Sequence, residues 1–225
     1  WGIGLEIAAL LKTGVTSMAC YESNHSSADS VMQAFLGALS MAMDFPESHA
    51  FTYASTRFPK GHLEIRQDGS CTMYFDRPPY LPEGLGAINV SQSMIEMIRG
   101  LIVNRATDQR VQVALEYVAA GWQPIGRIGF LHNAIALDAL FGKQGAVRES
   151  IVAGLEEFAS RIEKVGERGK LLYKIRNRLL HGKSKSLESC PEYLEYYETF
   201  DVDPAYDQTR ILRTCFWEKS GAKMN

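Results

Sequence analysis

The 225 residues (25.1 kDa) are 46% apolar and 22% charged, an ordinary globular composition with enough chain to bury a core without disulfides or metal. Twenty-four basic against 26 acidic residues leave a net charge of −2, which excludes a polycation that coats DNA. No apolar run reaches the ~18 residues of a membrane span, and no basic segment precedes an apolar one at the start, so neither a membrane span nor a signal peptide is expected.

In chain order, Gly2 to Lys12 reads as a short apolar helix. A polar loop through Ser23 and Ser27 follows. Val31, Phe35, Leu39 and Met43 then recur every four residues, a helical stripe that Pro46 ends. The period changes after that. Phe51, Tyr53 and Ser55 alternate with small residues, and Leu63 and Ile65 alternate with Glu64 and Arg66. Asp68-Gly69 is a hairpin turn signal, and Thr72 to Phe75 resumes a strand. A small antiparallel hairpin or sheet is expected between about 50 and 76. Pro78, Pro79 and Pro82 stiffen the connection that follows. The expectation is a small α+β module over 1–85 and an all-helical bundle over 90–225, mostly α overall.

Within the bundle, Met94 to Ala120 holds one or two helices, broken at Gly121 to Pro124. Ile125 to Phe141 is helical and closed by Gly142. Val147, Ile151, Leu155, Phe158 and Ile162 form an apolar stripe opposite Arg148, Glu149, Glu156 and Glu157, the mark of an amphipathic bundle helix. Gly166 interrupts. Lys170 to His181 is the next helix, with Gly182 suited to a left-handed cap. Ser189 and Glu192 have capping-box spacing, Pro191 suits a first turn, and the remaining helices run toward Trp217 with a break near Pro204.

The four cysteines (Cys20, Cys71, Cys190, Cys215) make no CxxC pair and stand near no histidine at zinc spacing. Reduced thiols in a cytoplasmic protein, with no metal and no cofactor, are expected. Charge is distributed unevenly. Residues 161–185 hold nine bases and two acids, a balance of +7, while residues 186–207 hold seven acids and no base. A concentrated basic segment attracts polyanions even in a near-neutral chain. It can equally be a solvated helix face that pairs with the acidic stretch beside it.

Inside the basic segment, Leu172, Ile175 and Leu179 make the core stripe. Asn177 and His181, four apart, share another face. Arg176 lies five before His181, about 140° around the helix, and an arginine is long enough to swing back. Histidine is suited to proton transfer near neutral pH. Arginine can hold a phosphate or a developing phosphorane charge with its fork of donors. Asparagine can orient either. Cleavage of a phosphodiester by its neighbouring ribose hydroxyl asks for little more, and for no metal. The bland alternative is a histidine that caps its own helix and an arginine paired with a carboxylate. Asp138, in the apolar run Ala134 to Phe141, is an acid that needs a partner, and Arg176 is a candidate.

The stretch Tyr173 to Gly182 resembles the signature helix of HEPN domains, particularly the ApeA-like branch, whose motif is Arg, a polar residue, several residues, then His. Arg176, Asn177 and His181 stand at those positions. Phe130 to Phe141 and Val147 to Ile162 resemble the two preceding bundle helices. The resemblance spans roughly residues 125–220. It implies a helical bundle that pairs as a homodimer around one composite cleft, and a metal-independent endoribonuclease, often in antiphage defence or as a toxin. In that reading His181, Arg176 and Asn177 are catalytic. Lys174, Arg178, Lys183 and Lys185 contact RNA phosphates, which fix register without reading sequence, and Tyr173 stacks on a base. His132 is either a further polar member of the cleft or a structural histidine. The rival reading is a non-catalytic module for a partner protein or nucleotide, favoured by the acidic, tyrosine-rich stretch Glu192 to Tyr206.

Overall fold

A computed structural model describes residues 25–42, 61–65, 71–75, 91–122 and 126–222. Its elements are α1 (His25–Ala42), β1 (Gly61–Ile65), β2 (Cys71–Phe75), α2 (Gln92–Arg105), α3 (Gln109–Trp122), α4 (Arg127–Phe141), α5 (Val147–Phe158), α6 (Val165–Leu180), α7 (Pro191–Phe200) and α8 (Pro204–Ser220). The expected helix over Gly2 to Lys12 lies outside the described residues, as do the Phe51 to Ser55 alternation and the proline-rich connection. No described helix is long and apolar enough to cross a membrane.

The expected fold class needs correction. The described chain is a bundle of eight helices, not an α+β module followed by a bundle. β1 and β2 pair with each other as a two-stranded ribbon. Two strands are too few to make a sheet layer with a buried face of its own. The helix assigned to that module, α1, instead shares one continuous core with the others: Ala34, Phe35, Ala38 and Met41 are buried with Leu115, Val118, Leu101 and Phe216. Its Gly37 shows how. The two backbones approach so closely that a Cβ there would strike the carbonyl of Leu115 on α3. Ser30 completes the seam. Its hydroxyl bonds Glu116, and its hydroxyl and carbonyl accept from the Gln112 amide at 2.7 and 3.0 Å.

Local chemistry explains several boundaries. Ser91 caps α2 by accepting from the Met94 N–H at 3.2 Å. Pro204 starts α8 behind Asp203, whose carboxylate accepts from the Ala205 and Tyr206 N–H groups. α5 ends at Phe158, earlier than the stripe implies, and Ile162 reaches the core from the following turn. Gly166 does not interrupt. α6 starts at Val165 and runs through Gly166 and Gly169, because α5 lies against this face; a Cβ at Gly169 would come within 2.7 Å of Leu155 Cδ1. The capping box at Ser189 is also corrected. Cys190 is the capping position, Ser189 exchanges hydrogen bonds with Ser186, and Glu192 turns to Arg178.

The opposed charge blocks meet across helices. Asp207 of α8, fully buried, accepts from Arg168 of α6, from the Tyr196 hydroxyl of α7 at 2.6 Å, and from Arg210 Nε at 2.8 Å. Arg168 also donates to the Glu163 carbonyl at 2.8 Å and lies 4.2 Å over the Phe200 ring. Burial, together with donation to Asp207, pushes the Tyr196 phenol well above its usual range. This knot ties α6, which carries the candidate site, to α7 and α8.

Candidate active site

α6 ends in a Schellman turn. The Lys183 N–H bonds the Arg178 carbonyl at 2.9 Å and the Gly182 N–H bonds the Leu179 carbonyl at 3.2 Å, with Gly182 at φ 67°. A left-handed residue is needed there, and glycine takes it without a Cβ clash. His181 is therefore the capping residue, at φ −84° and ψ 9°, with its N–H on the Asn177 carbonyl at 3.0 Å. Its imidazole is exposed. Leu179 and Ile175, fully buried, anchor the same turn from below.

One turn earlier, Arg176 is held on the opposite side. Its Nη1 donates to Asn177 Oδ1 at 2.8 Å, and its Nη2 pairs with Asp138 Oδ2 of α4. Its guanidinium carbon lies 5.4 Å from the Tyr173 ring centroid. The side chain is 20% exposed. Burial pushes the Asp138 carboxyl above its usual range, and the Arg176 charge and hydrogen bond oppose that rise. Beneath lies a cavity of about 10 Å³ lined by Leu137, Leu155, Leu172, Arg176 and Gln208, room for about one water.

The structure thus joins Arg176 and Asn177 side chain to side chain. It places His181 on the same helix end without a hydrogen bond to Arg176. The Asp138–Arg176 pairing that the sequence leaves as one candidate among several is present. Of the expected RNA contacts, Lys174, Lys183 and Lys185 are exposed and Tyr173 is half-buried under the Arg176 guanidinium. Arg178 differs. It is clasped by the Glu192 carboxylate through Nε at 2.6 Å and Nη2 at 2.8 Å, which holds that carboxyl below its usual range. A phosphate would have to displace a bidentate carboxylate to reach it. His132 is edge-on to Tyr117 at 6.3 Å, between α3 and α4, and the neighbouring Asn133 bonds Thr209.

One contact at this end has no signal in the sequence. Arg127, first residue of α4, donates to the Leu179 carbonyl at 3.3 Å and so braces the turn that presents His181. In the sequence it is part of a weak Gly-Arg-Ile-Gly pattern that names no partner. Among the described residues no three His, Cys, Asp or Glu side chains cluster as a metal site. No family profile, curated protein or solved structure matches the chain.

Proposed function

We propose that this protein is a metal-independent endoribonuclease of HEPN type, acting in the cytoplasm in a defence, toxin or stress-response setting, with two copies pairing their motifs around one cleft. The observation that carries the proposal is the helix end itself. An arginine oriented by its neighbouring asparagine precedes a histidine whose imidazole is free at the surface. The resemblance of this stretch to the HEPN motif supplies the reaction class.

In this scheme His181 takes the proton from a ribose 2′-hydroxyl and the freed oxygen attacks the adjacent phosphorus. The N–H groups of Arg176 not engaged by Asn177 and Asp138 stabilise the phosphorane charge. Asn177 holds the guanidinium plane. The P–O5′ bond breaks, and the proton taken up by His181 passes to the departing oxygen. The products are a 2′,3′-cyclic phosphate and a 5′-hydroxyl. Lys174, Lys183 and Lys185 draw in the RNA backbone. The test is cleavage of mixed cellular RNA in EDTA. Wild type should cut and leave cyclic phosphate ends, His181→Ala should not cut, and Arg176→Ala should cut far more slowly. Cutting that a chelator abolishes and His181→Ala retains would refute the mechanism.

A second reading has one observation of its own. α7 exposes Leu194 and Tyr197, 53% and 51% accessible, beside Glu195 and Glu198. That acidic, partly apolar face supports a binding module for a basic partner protein. In that case His181→Ala is silent and Leu194→Asp with Tyr197→Ala abolishes partner capture.

A further inference from the structure

We propose that Asp138 of α4 is the positioning residue of Arg176, an inference that rests on the ribonuclease reading above and extends its site to a second helix. A long arginine side chain on a helix surface samples many rotamers, and each hydrogen bond that holds it must offset that freedom. Asn177 and Tyr173 hold Arg176 from its own helix. Neither fixes the guanidinium relative to the rest of the bundle. Asp138 does, because its carboxylate reaches Nη2 from α4.

The surroundings make this a costly and directional arrangement. Asp138 stands among buried Ala134, Leu137 and Phe141, a poor environment for a charge. Arg176 Nε is buried beside it without a hydrogen-bond partner among the described residues. A guanidinium has five N–H groups. One goes to Asp138, one to Asn177 and one is buried at Nε, which leaves one N–H on each Nη for a ligand. The side chain is 20% exposed, which leaves a phosphoryl oxygen room to approach. Asp138 sets which edge is presented and never touches the substrate. Its loss leaves Arg176 on the same helix but no longer aimed.

The experiment compares RNA cleavage by the full chain in EDTA for wild type, Asp138→Ala, Asp138→Glu, Arg176→Ala and the Asp138→Ala/Arg176→Ala double variant. A residue that acts by orienting another typically carries about 10–100-fold in activity. We expect Asp138→Ala to fall by that factor mainly in kcat, with KM little changed. Asp138→Glu, which keeps the carboxylate, should recover part of it. The double variant should be no slower than Arg176→Ala, because a residue that works through Arg176 has nothing left to position. A merely structural role would add its loss to that of Arg176→Ala. Asp138→Asn keeps the side-chain shape and serves if the alanine variant unfolds by circular dichroism. With Arg176→Ala strongly slowed but still measurable, an Asp138 variant that cuts as well as or faster than wild type, or a double variant with additive loss, overturns the inference alone. If wild type does not cut, or Arg176→Ala cuts normally, the ribonuclease reading itself fails and takes the inference with it.

Discussion

Replacing Asp207 with alanine is the sharpest test of how the bundle holds its site. Asp207 is fully buried and accepts from Arg168, Tyr196 and Arg210. The Arg168 side chain is 11% exposed, and without Asp207 it keeps the Glu163 carbonyl, the Phe200 face and the Tyr196 hydroxyl but no counter-charge from α8. Removing one partner of a buried pair costs about 3–5 kcal/mol, because the other charge stays buried. The Tyr196 hydroxyl, also fully buried, loses its acceptor, which moves the expected loss to the upper end of that range. Against a total stability of about 5–15 kcal/mol this is a third or more of the whole. In a chain of this size it lowers the melting temperature by about 6–20 °C. Tyr196→Phe removes one hydrogen bond to a charged acceptor and should cost about 1.5–3 kcal/mol. The double change Arg168→Met/Asp207→Leu removes both charges and should recover most of the loss, as buried pairs replaced by apolar groups often do. Urea unfolding followed by far-UV circular dichroism measures all three. The effect should persist at high salt, since the pair is out of reach of screening ions. A cost under about 1 kcal/mol for Asp207→Ala, or a double variant no better than the single, would refute the argument.

Three further outcomes follow from particular contacts. Gly37→Ala should destabilise by about 1–3 kcal/mol through overpacking against the Leu115 carbonyl, although helix propensity alone predicts a gain of nearly 1; a gain in urea stability would mean that α1 does not dock on α3. Glu192 is held below the usual carboxylate range by Arg178, so its folded state binds fewer protons than its unfolded state. The stability it contributes is present above its reference value of 4.5 and disappears as pH falls through the lower folded value. The difference between wild type and Glu192→Gln in urea titrations should therefore shrink on acidification below 4.5, and a difference that stays constant would remove Arg178 as its partner. The Cys215 thiol is pushed up to about 12 by burial, and it should resist an aromatic disulfide reagent in the native protein near pH 8 and react once urea unfolds it, read by peptide mass spectrometry. Rapid native labelling would contradict its place in the core.

Much of the helix end was legible in the linear order of residues. Leu172, Ile175 and Leu179 in the stripe, Gly182 after the last turn, and the four-residue step from Asn177 to His181 are relations over one or two turns, and helical geometry settles them locally. The same holds for Pro191 and Pro204 as helix starts. Inferences that depended on which helix lies against which fared less well, although Asp138 stood among the candidate partners of Arg176. Gly166 reads as a break and is instead inside α6, because α5 packs there. Val31, Phe35 and Leu39 correctly mark a helix (Met43 lies outside the described residues), but not that its apolar face completes the bundle rather than a separate α+β module.

The amino-acid sequence by itself determined most of the helical stretches among the described residues, the end of α6, and the presence of Arg176, Asn177 and His181 within a single turn and a half. These follow from periodicity, caps and glycine, forces that act over a few residues. Tertiary structure decided the partners. Arg168 meets Asp207 across 39 residues, Arg176 meets Asp138 across 38, and Arg178 meets Glu192 across 14. A charge finds its counter-ion through the crossing of helices, and that crossing depends on side-chain packing summed over the whole core.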